Sequence, residues 1–131
     1  MVDDSTSGTS TSRLRWIGGA NLPTLGGRRV NASEFFAELV LDVNGLKLSL
    51  RGPLPRLTRA ETLYAMPSDL SEVFPIRSRL RFRGVGLRRP DGREYYFKTT
   101  QTDPILQALQ ARRFAVSWAA RPLAKLWTLK A

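Results

Sequence analysis

The sequence predicts a mainly β fold of the α+β kind: a curved antiparallel β-sandwich or barrel capped by one helix near residues 104–113. Three observations carry this expectation. Apolar and polar residues alternate on both sides of Asn44-Gly45 and of Pro90-Asp91-Gly92, as in strands with one buried face joined by tight turns. After Thr102 the apolar period becomes helical, with Asp103-Pro104 placed to start the helix. At 131 residues, 42% hydrophobic and 24% charged, the chain has the length and mix of one globular domain with a modest core.

Residues 1–12, MVDDSTSGTSTS, offer almost nothing to bury and are expected as a disordered tail. Residues 13–34 hold four glycines and a proline without a sustained period. They are expected as an irregular arm with a short strand around Leu14 to Ile17, leaving 35–115 as the folded domain. From Phe35 the odd positions Phe35, Ala37, Leu39, Leu41 and Val43 are apolar, with Glu38 and Asp42 between them. Asn44-Gly45 suits a type I′ loop, in which both central residues take positive φ. Val43 then pairs with Leu46, and Leu46, Leu48 and Leu50 share the first strand's buried face. Gly52-Pro53 and Pro55 end this hairpin. Thr58, Thr62, Leu63, Tyr64 and Met66 suggest a short third strand, and SDLSEVFP after it a helical turn or loop.

Arg77, Arg79, Arg81 and Arg83 alternate with Ile76, Ser78, Leu80 and Phe82, which reads as one strand with a cationic face and a mostly apolar one. Parity changes at Gly84, and a β-bulge at Gly84 or Gly86 would return Val85 and Leu87 to the buried face. In Pro90-Asp91-Gly92 the proline presets φ and the glycine takes the left-handed position of a bulged type I hairpin. Counting outward sets Arg89 against Arg93, Arg88 against Glu94 and Leu87 against Tyr95, so Tyr95 and Phe97 point inward while Tyr96 and Lys98 point outward. The helix, N-capped by Asp103, buries Ile105, Leu106, Leu109 and Phe114. Residues 116–131 form a C-terminal extension, apolar and basic, expected to pack on the domain or a partner. Within it Pro122 opens a second short helix carrying Leu123, Leu126 and Trp127.

Composition narrows the chemistry. Without cysteine there is no disulfide, thiolate nucleophile or thiolate-bound zinc, and without histidine the commonest metal ligand and general base is missing. The 11 acidic residues are scattered without a spacing that pairs two of them. Gly18-Gly19 and Gly26-Gly27 lack the Lys-Ser/Thr of a phosphate loop. The expectation is a non-enzyme with no cofactor and no metal. No stretch approaches the roughly 20 apolar residues of a membrane span, and the start lacks a secretory pattern, so a cytoplasmic protein, peripheral at most to a membrane, is expected.

NASEFFAELVLDVNGLKLSLRG is similar to the opening hairpin of a bacterial PH-like (pleckstrin-homology-like) domain family, and RGVGLRRPDGREYYFKTTQTDPILQALQARRF looks like its closing section, a hairpin, an aromatic strand and a short helix. Together they span roughly 30–115. The resemblance implies a small curved sheet whose open end the helix caps. In eukaryotic PH domains that read phosphoinositides the first hairpin's loop is basic, whereas here it is Val43-Asn44-Gly45-Leu46, too short to wrap a head group. No lipid-binding residue carries over.

Function is therefore read from charge. With 21 Lys and Arg against 11 Asp and Glu, the chain carries a formal charge of +10 and attracts polyanions. Side chains two apart on a strand face lie about 6.6–6.8 Å apart, close to the phosphate spacing of an extended nucleic-acid strand. The sequence reading is an adaptor domain that engages an acidic protein or an anionic membrane surface through Arg77, Arg79, Arg81, Arg83 and Arg88. Tyr96 and Lys98 would share that outward face. A sequence-tolerant nucleic-acid binder, stacking bases on Tyr96, is the alternative. The same row would also simply solvate a sheet, with Glu38, Asp42 or Glu94 opposite. Trp118 and Trp127 are candidate interface anchors, against the sheet, a membrane interface or a second subunit, and a homodimer is a further reading.

Overall fold

The computed structural model describes residues 13–24, 26–52, 58–77, 83–119 and 121–122. In chain order these form β1 (Leu14–Pro23), β2 (Arg29–Asp42), β3 (Gly45–Leu50), β4 (Leu63–Ala65), a 3-10 turn (Pro67–Asp69), β5 (Glu72–Arg77), β6 (Arg83–Arg88), β7 (Glu94–Lys98), helix α1 (Thr102–Ala111) and the two-residue β8 (Arg121–Pro122). One sheet runs β4-β3-β2-β1-β7-β6-β5-β8, antiparallel except where β8 lies parallel to β5. The expected class holds: mainly antiparallel β, curled into a half-barrel and capped by a C-terminal helix. Leu22, Leu39, Leu41, Leu46, Leu48, Leu63, Val73, Val85, Leu87, Tyr95 and Phe97 line its inside, and α1 closes over them with Ile105, Leu106 and Leu109.

The stretch expected as an irregular arm is the middle of the sheet. β1 pairs with β2 along most of its length and with β7 over Gly19–Asn21, so it joins the sheet's two halves. Its glycines are not breakers. A Cβ on Gly18 would lie 2.2 Å from the Lys98 carbonyl oxygen, and one on Gly19 2.6 Å from that of Ala32. Three strands approach here too closely for any side chain, so the folded unit begins at β1 rather than at residue 35.

The first hairpin keeps its faces but shifts its register. Asp42 pairs with Gly45, Leu41 with Leu46 and Leu39 with Leu48, so the loop is Val43-Asn44 and not Asn44-Gly45. The Asp42 carboxylate accepts the Asn44 N–H at 2.8 Å, and in this turn only Gly45 has positive φ, at 110°. This is a type I turn with Asp first and Gly last. The slide moves the pairing by two positions, so the leucines stay inside, while Val43, expected inside, is exposed. The second hairpin matches expectation: Gly92 (φ 92°) donates to the Arg89 carbonyl at 2.9 Å, and Leu87 faces Tyr95.

Arg77 and Arg83 are not steps along one strand. β5 ends at the first and β6 starts at the second, and the two are directly paired antiparallel partners. The register runs unbroken through Gly84 and Gly86, so the change of parity marks a reversal of the chain and not a bulge. Arg79 and Arg81 lie outside the described residues. The alternation misled because β5 starts earlier, at Glu72, with Val73, Phe74, Pro75 and Ile76 all buried, leaving no period-2 signal of its own.

Helix α1 starts slightly earlier than expected. Gln101 is its N-cap and Asp103 sits exposed in the first turn, while the Thr99 hydroxyl accepts the Gln101 N–H at 2.9 Å. Ile105, Leu106, Leu109 and Phe114 are buried as expected. Beyond α1, Val73 donates to Ala115 and accepts from Ser117, both at 2.8 Å, and β8 continues the parallel pairing at Ile76 and Arg77. The extension thus covers the β5 edge, which would otherwise offer unpaired backbone groups. Pro122, expected to open a helix, lies in β8, and Leu123, Leu126 and Trp127 are outside the described residues.

Candidate functional site

Ladder register decides which cations share a surface. Arg77 and Arg83 have the parity of Val73 and Val85, the side that α1 covers, and both are exposed at its end. Arg77 reaches Asp103 in the first turn of α1 at 3.4 Å. With both side chains more than half exposed, at 57% and 60%, this bridge holds Arg77 only weakly. Arg88, Tyr96 and Lys98 have the opposite parity, in line with Glu72, Phe74 and Ile76. The face expected to hold all these residues is therefore two faces.

On the second face the expected binding residues are engaged within the fold. Arg88 lies between two carboxylates, 2.6 Å from Glu94 and 3.3 Å from Glu72, with its guanidinium over the Phe74 ring at 5.7 Å. The hydrogen bond to Glu94 holds its pKa above the ordinary arginine value. Tyr96 is 2% exposed and packs with Phe74 and Ile76 in a second small cluster. Its hydroxyl donates to Glu94, and Arg29 stacks on its ring at 5.1 Å. Burial, reinforced by that hydrogen bond, pushes the phenol well above the ordinary tyrosine range. Arg29 also donates to the Asn21 side chain and to the Glu94 carbonyl, the latter at 2.8 Å. Burial lowers the Arg29 pKa, opposed by Tyr96 and Glu94. Asn21 is fully buried, and among the described residues its Nδ2 has no partner. Tyr96 offers no stacking platform.

Lys98 is half-buried, and burial lowers its pKa, with nearby Glu34 acting against the shift. It occupies the ladder row Gly19–Lys98–Gly84–Ile76, and Arg83 and Arg77 form the next row. At the other end of that row lies a feature the alternation pattern hid. Ala37 faces Gly18 and Ala32 faces Ala20, five steps along β2 against two along β1, so residues 33–36 loop out beside Gly19. There Phe35 has φ 77° and is 70% exposed, and Phe36 is 49% exposed. Arg51 fixes the loop: its guanidinium donates to the Phe35 carbonyl and its backbone N–H to the Phe36 carbonyl, both at 2.8 Å. The one sequence sign was two adjacent phenylalanines in an alternating strand, of which one must face outward.

Tyr95 is a structural rivet. Its hydroxyl donates to Glu61 at 2.6 Å, Glu61 also binds Arg93 at 2.9 Å, and burial raises the Tyr95 pKa. Trp118 is exposed in the segment beside β5, and Trp127 lies outside the described residues. A cleft of about 510 Å³ lies between the first hairpin's turn and the end of α1, lined by Leu41, Val43, Met66, Arg112 and Arg113 among others. Its two arginines complement the negative end of the helix. Among the described residues no three acidic side chains group as metal ligands, and no helix is long and apolar enough to cross a membrane. No protein-family model matches this chain, and no curated protein is found similar to it.

Proposed function

We propose that this chain is a non-enzymatic PH-like binding domain, an adaptor that engages an acidic partner through the end of the sheet where β5 gives way to β6. One observation carries the reading: Arg77 and Arg83 stand directly opposite each other, both exposed. Like charges facing across a strand pair oppose pairing, and a bound anion turns that cost into an attraction. Among the described residues Arg83 forms no salt bridge, and Arg79 and Arg81, outside the described residues, lie between the two in sequence. The formal charge of +10 adds long-range attraction. Arg88, neutralised by two carboxylates, takes no part, and Tyr96, as buried structure, is not the stacking platform expected for the nucleic-acid alternative. The reading places the protein in the cytoplasm, at the surface of an acidic protein or an anionic leaflet.

The test compares the native chain with Arg77→Glu/Arg83→Glu for binding to anionic vesicles, an acidic polypeptide and a labelled single-stranded oligonucleotide as salt is raised. The native chain is expected to bind an anionic ligand at low salt and to release it as salt rises, with the charge-reversed variant at least about tenfold weaker. Equal binding by the two proteins rejects this site, and preferential binding of the oligonucleotide replaces the partner class.

A further inference from the structure

We infer that the acidic partner is an anionic lipid bilayer, and that Phe35 and Phe36 insert into it beside the basic end of the sheet; this rests on the reading above and names its partner. The two rings project from a looped-out corner of β2. Phe35 keeps a left-handed backbone that a bulky side chain rarely adopts, and it does so with most of its ring in water. Neither the burial nor the backbone geometry of this corner accounts for an aromatic residue there. Exposed strained positions of this kind belong to binding sites more often than to cores.

The surroundings identify the occupant. Arg51 is tied to the carbonyls of both phenylalanines, and Lys98 lies close enough to Glu34 for the two charges to interact. The row after Lys98 and Gly84 carries Arg83 and Arg77, three and four strands from β2, roughly 15–20 Å across the sheet. Exposed rings with Arg51 and Lys98 close by, and Arg83 and Arg77 farther across the same end of the sheet, match the boundary between acyl chains and acidic headgroups, where the rings leave water and the charged ends stay in it. A second copy of this chain fits poorly, since each would bring the same basic end and a formal charge of +10. A protruding knob also needs a ready-made pocket in a protein partner, whereas a bilayer deforms around it.

The experiment uses the whole chain with vesicles of phosphatidylcholine alone, vesicles of phosphatidylcholine with phosphatidylserine, and polyglutamate. Because the sequence has no cysteine, Ser33→Cys, exposed in the same corner, accepts a single environment-sensitive fluorophore and leaves both rings in place. The expected result is binding to the anionic vesicles only, a blue shift of the label on binding, and a loss of about tenfold per ring removed in Phe35→Ser/Phe36→Ser. Circular dichroism checks that this double variant folds, which the exposure of both rings favours. If the double variant binds anionic vesicles as well as the native chain and the label does not shift, insertion is wrong while charge-driven docking stands. Binding to polyglutamate but not to vesicles rejects the bilayer and keeps the acidic-partner reading. Absence of binding to every anionic ligand at low salt removes both.

Discussion

At position 35, glycine should be better than alanine, the reverse of the usual order in a strand. Both substitutions remove the same ring, which is 70% exposed, so the lost burial cancels in the comparison. What remains is the backbone at φ 77°. A left-handed conformation costs a residue with a Cβ about 1–2 kcal/mol, and glycine avoids that cost. Glycine gives back about 0.5–1 kcal/mol through the greater freedom of its unfolded chain. The difference leaves Phe35→Gly more stable than Phe35→Ala by about 1 kcal/mol, roughly 4 °C in Tm for a domain of this size. Urea and thermal unfolding followed by circular dichroism measure this directly. Alanine clearly more stable than glycine would show that the chain does not turn left-handed at Phe35. The pair also separates fold from function: both variants should lose anionic-vesicle binding equally, although one is more stable than the other.

Other substitutions probe the elements that set this geometry. A Cβ at Gly84 would lie 2.3 Å from the Phe97 carbonyl oxygen, so Gly84→Ala should cost about 3 kcal/mol, because the obstacle is main chain. At Gly86 the obstacle is the Phe74 ring, also at 2.3 Å; Gly86→Ala should cost less, and a cycle with Phe74→Leu should show about 1 kcal/mol of favourable coupling in the unfolding free energy. Asp42→Ala removes the acceptor for the Asn44 N–H and should cost about 1 kcal/mol in denaturant titrations, with Asp42→Asn retaining most of it. Tyr96 titrates higher folded than unfolded, so its contribution is whole below about pH 10, where the unfolded phenol ionises, and is lost as pH rises from there toward the folded value. Urea midpoints measured across that alkaline range should fall less steeply for Tyr96→Phe than for the native chain.

The elements legible in the sequence are those whose signals are local. Pro90-Asp91-Gly92 specifies its own turn, and the pairing of Leu87 with Tyr95 follows by counting. The helix shows in the spacing of Ile105, Leu106 and Leu109. Long-range packing hid the rest. Gly18 and Gly19 look like breakers, yet their lack of a side chain serves strands that are remote in sequence. Arg77 to Arg83 shows that a period-2 pattern can run through a reversal of the chain, since alternation does not record direction. Tyr96 was placed on the correct side, but parity cannot tell an outer face in water from one buried under Arg29 and beside Phe74. Phe35 follows the apolar alternation of β2 and still points outward, because the bulge beside Gly19 breaks the period.

Hydrogen–deuterium exchange of the full chain, with and without anionic vesicles at low salt, reads which backbone amides meet the bilayer. New protection is expected in the looped-out corner of β2 around residues 33–36, at Arg51 and at the β5–β6 end, with the β6–β7 turn unchanged. Protection confined to that turn and the Arg88 surface, or to the far end of α1, would place the binding surface elsewhere and contradict the account.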